Sequence, residues 1–97
     1  DTAPAKFEAG SKVSNSTISA GCRIRGSVTG SILSRNVIIE RGAVVRDSVV
    51  MEGCIVKEGS VVEHAIVDRS NIIPAGTELR GTSEEILIQR KNNKRVA

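Results

Sequence analysis

The stretch NVIIERGAVVRDSVVMEGCIVKEGSVVEHAIVDRSNIIPAG, Asn36 to Gly76, places aliphatic residues singly or in pairs between one or two charges and a glycine or serine. An amphipathic helix repeats its apolar residues every three or four positions and a half-buried strand every two. Here the beat is five or six. KVSNSTISAGCRI (Lys12 to Ile24), VVRDSVVMEGCIV (Val44 to Val56) and VVEHAIVDRSNII (Val61 to Ile73) align with one another. Each carries an aliphatic anchor, a second anchor five residues on and a third six beyond that. The anchors form three columns: Val13, Val28, Val45, Val62, Leu79; Ile18, Leu33, Val50, Val67; and Ile24, Ile39, Val56, Ile73. Successive members are 17 residues apart, except across the first coil, where the step is 15 in every column. A period made of 5, 6 and 6 describes a prism with three short sides per turn, each turning one apolar side chain inward. That is an all-β chain: a single-stranded parallel β-helix of triangular section, about 4–5 coils long.

Other columns support the same register. Ser16, Ser31, Ser48 and Ala65 stand two residues before one set of anchors, and Ala43, Ser60 and Thr77 before another. Small groups fit beside branched anchors in a narrow interior. Gly42, Gly59 and Gly76 fall three residues after an anchor, where a corner needs positive φ. Coils stack about 4.8 Å apart, so outward charges in one column are expected to alternate in sign. Arg46, Glu63 and Arg80 alternate, as do Arg35, Glu52 and Arg69; Glu40 stands over Lys57, Arg41 over Glu58 and Asp47 over His64. In a solenoid each coil buries its anchors only against its neighbours. Val50→Asp, at the centre of the stack, is therefore expected to unfold the chain.

With 97 residues there is room for one small domain, and apolar content is an ordinary 39%. Phe7 is the one aromatic residue, so the core is aliphatic. The net charge of +3 is spread along the chain, and the one basic cluster, RKNNKR from Arg90 to Arg95, has no interleaved aromatic residues. It reads as a solvated tail and not as a nucleic-acid site. No apolar run approaches the ~18 residues of a membrane span, and no secretory signal opens the chain. Cys22 and Cys54 share a column two coils apart, about 9.6 Å by the strand spacing. A disulfide needs Cα atoms within about 7 Å. Buried free thiols are expected, and with them a reducing cytoplasmic setting. Both ends must be capped: residues 1–10 read as an entry segment, 11–81 as the β-helix, and 82–97 as a final strand, carrying Ile86 and Ile88, with the basic tail.

The pattern resembles the hexapeptide-repeat β-helix, and the resemblance implies that the helix is left-handed. Within that group it is most similar to the C-terminal domain of glucose-1-phosphate adenylyltransferase (ADP-glucose pyrophosphorylase) of bacterial glycogen biosynthesis. The residues that carry the likeness are DTAPAKF at the start, NSTISAGCRIRGSVTGSILSR with its shortened coil, GAVVRDSVVM, AIVDRSNIIPAGTEL and the closing ILIQR. Together they cover nearly the whole chain. In that family a nucleotidyltransferase domain precedes the β-helix and uses ATP with Mg²⁺, so the resemblance implies that residues 1–10 are the linker from such a domain. This chain carries no Gly-rich phosphate loop, so the resemblance implies no cofactor and no catalytic residue here. CRIRGSVTGSILSR and the basic tail resemble the regulatory, non-catalytic paralogue subunit. The implied partners are the chain's own nucleotidyltransferase domain and other adenylyltransferase subunits in a heterotetramer, with neither nucleic acid nor membrane.

Two arginines match positions at which the catalytic family holds effector phosphates: Arg69, in VDRSNIIPAG, and Arg90, in ILIQR. Arginine suits this through its permanently charged, bidentate fork. The competing reading pairs Arg69 with Glu52 below it and leaves Arg90 in the tail. His64 is the only histidine. Hexapeptide acyltransferases use a histidine as general base, so a small trimeric acyltransferase is the alternative function. Related zinc enzymes need three histidines, which excludes that metal site. Asp47, Ser48 and His64 form no triad, because Ser48 sits in an inward column. The coils are expected to run without a loop insertion.

Overall fold

The structure is a computed structural model that describes residues 3–91. Fifteen short strands follow one another around three sides of a prism, three to a tier. The first tier holds β1 (Lys6–Phe7), β2 (Lys12–Ser14) and β3 (Thr17–Ile18); the second β4 (Arg23–Ile24), β5 (Ser27–Thr29) and β6 (Ile32–Leu33). The third holds β7 (Ile38–Ile39), β8 (Val44–Arg46) and β9 (Val49–Val50); the fourth β10 (Ile55–Val56), β11 (Val61–Glu63) and β12 (Ala65–Val67). The fifth holds β13 (Ile72–Ile73), β14 (Glu78–Arg80) and β15 (Leu87–Gln89). Like sides stack as three five-stranded sheets, β1-β4-β7-β10-β13, β2-β5-β8-β11-β14 and β3-β6-β9-β12-β15, with every pair parallel. From first tier to fifth the chain climbs four turns of a β-solenoid. The lead-in segment thus supplies the first strand of one sheet.

The aliphatic anchors pair tier on tier as their spacing requires. Val28, Val45 and Val62 stack in the second sheet, Leu33, Val50 and Val67 in the third, and Ile24, Ile39 and Val56 in the first; all nine are fully buried. Burying one such side chain is worth roughly 1.5–3 kcal/mol. The step of 15 has a single cause. Ile24 and Val28 are separated by Arg25, Gly26 and Ser27, whereas the equivalent corner between Ile39 and Val45 has two more residues. The shortened corner drives the Gly26 backbone against the next tier: a Cβ there would lie 2.7 Å from the Glu40 carbonyl oxygen and closer still to that of Ala43. Gly26 is needed for proximity, and Gly42, Gly59 and Gly76 for φ, which is +75°, +72° and +74° at the longer corners.

The column Ser16, Ser31, Ser48 is a hydroxyl ladder. Ser31 Oγ donates to the Thr29 carbonyl at 2.9 Å and accepts the Ser48 N–H at 3.0 Å. Ser48 Oγ donates to the Arg46 carbonyl at 2.7 Å and accepts the Ala65 N–H at 3.1 Å. Each hydroxyl thus joins the corner of its own tier to the strand of the next, satisfying buried backbone groups that the sheet ladders miss. The ladder stops at Ala65, and so does the regular period. Gln89 pairs with Val67, 22 residues away instead of 17. The extra residues form the turn Thr82 to Glu85, closed by the Thr82 N–H to the Glu85 carbonyl (2.9 Å) and the Glu85 N–H to Thr82 Oγ1 (3.0 Å). The expectation of coils free of insertion fails in this last tier. The final strand also differs in its faces: Leu87 lies over Ala65 and packs on the core, while Ile86 and Ile88 are 42% and 56% exposed. Register forces this, because Ile88 continues the outward column of Ile32, Val49 and Ile66.

Of the outward charge columns, Arg46–Glu63–Arg80 pairs as its alternation suggests, at 3.5 Å and 2.6 Å. His64 Nε2 lies 3.7 Å from Asp47 Oδ2. Glu40 turns instead to the Glu58 backbone N–H at 3.1 Å. Among the described residues neither Glu40–Lys57, Arg41–Glu58 nor any pair of the Arg35–Glu52–Arg69 column closes within 4.0 Å. Those columns lie at corners, where exposed side chains stay solvated and gain little by pairing. At the first tier Phe7 occupies the inward column yet is 54% exposed, with no tier before it among the described residues. Its strand is held by Glu8, whose carboxylate bridges Arg23 (3.1 Å) and Arg25 (3.1 Å).

Two outcomes are expected. Gly26→Ala should destabilise by about 3 kcal/mol or more, because backbone oxygens cannot move aside. Gly59→Ala, with nothing within 4 Å of the added Cβ, should cost about 1 kcal/mol of positive-φ strain; urea midpoints separate the two. The Arg23 guanidinium, with that of Arg25, holds the Glu8 carboxyl below its ordinary value of 4.5. The folded state therefore favours the ionised form, and the stabilisation is present above that value and lost as pH falls through the lowered one. The amide signals of Lys6 and Phe7 should reveal β1 detaching on acidification below pH 4.5, and Glu8→Gln should remove that step.

Candidate functional site

The corner after the third-sheet strands gathers the groups with binding capacity. There Ser19, Ser34, Arg35, Met51, Glu52 and Arg69 line a shallow groove of about 440 Å³. The register that stacks Leu33, Val50 and Val67 also stacks Arg35, Glu52 and Arg69 two residues on. Asn36 and Ser70 turn this corner at φ +58° and +59°, and Gly53 at +75°. Arg69 is exposed, and the pairing with Glu52 that would have explained it away is not made.

Arg90 enters the same corner from the fifth tier. The Asp68 N–H donates to the Gln89 carbonyl at 2.9 Å, so the register carries Arg90 over Asp68 and Lys91 over Arg69. Asp68 braces the crossing: Oδ1 accepts the Arg69 N–H at 2.8 Å and Oδ2 the Lys91 N–H at 3.3 Å. The two arginines singled out from the sequence thus stand at one corner on adjacent tiers, although Arg90 does not line the groove itself. Of the basic tail Arg90 to Arg95, residues beyond Lys91 lie outside the described residues. Arg35 and Arg69 line the groove with Glu52, the backbone register brings Arg90 and Lys91 to the same corner, and the Asp68 carboxylate is already engaged by backbone N–H groups. Such a corner can take an anion with hydroxyl-bearing surroundings.

Beneath it runs an inward column of Cys22, Val37, Cys54 and Asn71. Cys22 Sγ donates to the Ser34 carbonyl and Cys54 Sγ to the Asp68 carbonyl, each at 3.0 Å. Both thiols are free, and burial pushes both up from the ordinary value of 9.0. A raised thiol pKa lowers the thiolate fraction, which argues against nucleophilic work. Asn71 and Asp68 were not distinguished by the sequence as parts of the site. An asparagine in a column otherwise made of cysteine and valine was the available signal.

His64 occupies a different corner, at φ +47°, one tier above Asp47 at +48°. It does not line the groove, and the Ser48 hydroxyl is turned inward to the ladder. Among the described residues no group of three or more His, Cys, Asp or Glu side chains could hold a metal ion. No helix there is long and apolar enough to cross a membrane.

The family described as GlmU-like, C-terminal hexapeptide matches residues 3–86. The chain belongs to that family. Its curated relatives are longer proteins. The glycogen biosynthesis protein GlgD of Bacillus subtilis is 47% identical over 91 residues, 94% of this chain and 26% of the relative. The glucose-1-phosphate adenylyltransferase of Corynebacterium jeikeium is 46% identical over 74 residues, 75% of this chain and 18% of its own length. That of Streptomyces coelicolor is 58% identical over 43 residues, 44% of this chain and 11% of the relative. The chain thus spans about a quarter or less of the relatives it matches.

Proposed function

We propose that this GlmU-like hexapeptide domain is the C-terminal structural and regulatory domain of a glucose-1-phosphate adenylyltransferase subunit in bacterial glycogen biosynthesis. Its partners are a nucleotidyltransferase domain on the same polypeptide and neighbouring subunits of a cytoplasmic heterotetramer, within which it serves as the non-catalytic kind. Arg69 and Arg90 receive the phosphate group of an effector. The observation that carries the reading is the likeness to GlgD along 94% of the chain, against 75% for one adenylyltransferase and 44% for another. The Arg69 guanidinium, in no ion pair among the described residues and at the same corner as Arg90, supports the phosphate role, since such a fork can form the bidentate, charge-assisted bonds that a phosphate accepts. The trimeric acyltransferase has only His64 in its favour, and that residue does not line the groove that Arg35 and Arg69 share.

Co-expression of the full-length protein with a catalytic adenylyltransferase subunit tests this directly. The two are expected to co-purify, and Arg69→Ala is expected to lower the sensitivity of ADP-glucose synthesis to phosphate esters by roughly tenfold, the loss of one charge-assisted contact. Acetyl transfer from an acyl-CoA by the full-length protein, abolished by His64→Ala, would overturn the assignment.

A further inference from the structure

Asn71 is the only buried amide side chain among the described residues, 2% exposed, in a column whose other members are Ala5, Cys22, Val37 and Cys54. The polar members of that column share one task. Cys22 donates to the carbonyl of Ser34, Cys54 to that of Asp68, and Asn71 to that of Arg90, each carbonyl belonging to the residue after the third-sheet strand of the following tier. Asn71 differs in having two N–H groups. Its Nδ2 reaches the Arg90 carbonyl at 3.0 Å and, at 2.9 Å, the Asp68 carbonyl of its own tier, with the Gln89 carbonyl at 3.4 Å. A thiol has one hydrogen to give and can tie only one carbonyl. The amide holds both walls of the corner at once: the turn that presents Arg69 and the strand end that presents Arg90.

This bracing sits where the solenoid needs it. β15 follows the Thr82 to Glu85 insertion, so its register is not imposed by an uninterrupted coil. β15 also has no following tier among the described residues, and its strand pairing is made on one side, with β12. We propose that Asn71, together with the Asp68 carboxylate, is the positioning residue of the cationic corner. It fixes β15 against β12 so that Arg69, Arg90 and Lys91 converge on one phosphate. The inference rests on the phosphate-binding reading of Arg69 and Arg90.

Isotope-labelled full-length protein, titrated with inorganic pyrophosphate and followed through the backbone amide signals of Arg69, Arg90 and Lys91, separates the two ideas. Asn71→Val places in the column a residue it already accommodates at Val37. It is expected to leave the Val45 and Val50 amides unshifted and to weaken pyrophosphate binding about tenfold, the shifts at Arg90 and Lys91 collapsing first. Asn71→Cys, with one donor as at Cys54, is expected to recover part of that loss. Wild-type affinity in Asn71→Val, with affinity lost in Arg69→Ala, overturns the positioning role and leaves the site standing. Equal losses in the Val and Cys variants also overturn it, since the hydrogen bond would then not be the cause. Unchanged binding in Arg69→Ala removes the site itself.

Discussion

Every tier of this solenoid is hydrogen-bonded and packed only through the tiers on either side of it. The interior is a single stack of side chains on each face, so an anchor such as Val50 meets Leu33 and Val67 and has no second layer to fall back on. Stability is then close to a sum over neighbouring tiers. The same constraint explains the polar interior. The Ser31 and Ser48 hydroxyls, the Cys22 and Cys54 thiols and the Asn71 amide all lie at corners and bind carbonyls there. No buried side-chain polar atom among the described residues lacks a partner. Burial of such groups without partners would cost about 1–3 kcal/mol each, a large share of what one tier gains.

The fold was legible because the columns of a β-helix are written directly in the spacing of its residues. The steps of 17 and 15 place Val13, Val28, Val45, Val62 and Leu79 in one stack, and the strand register reproduces that stack residue for residue. Legibility failed where spacing stops dictating position. After Leu79 the Thr82 to Glu85 turn breaks the count, so the inward residue of the last strand is Leu87, although Ile86 and Ile88 look equally suitable. Charge alternation likewise gives stacking without giving contact. Arg46, Glu63 and Arg80 lie along β-strands and meet, whereas Arg35, Glu52 and Arg69 project from a turn and do not.

The candidate site was legible in its cations and hidden in its supports. Arg69 and Arg90 stand out as residue types; that they share a corner follows only from the 22-residue step that brings Gln89 onto Val67. Asp68 and Asn71 act through backbone groups, with which sequence spacing has no way to associate them. The domain thus joins a regular scaffold, which sets the height of each charge, to an irregular last tier that selects which charges meet. Among the described residues the two thiols are shielded, the histidine lies at a corner away from the groove, and the Ser31 and Ser48 hydroxyls are committed to the ladder.

Native-state amide hydrogen exchange tests the dependence of each tier on its neighbours most directly. The amides of Ile38, Val44 and Met51 donate from the third tier to the fourth, one on each side of the prism. They are expected to exchange together, at the rate set by unfolding of the whole stack. Protection should decline from there toward Lys6 at one end and Leu87 at the other. Exchange at one of the three sides running orders of magnitude ahead of the other two in the same tier would contradict the account, because the sheets would then be opening independently of the stack that is held to unite them.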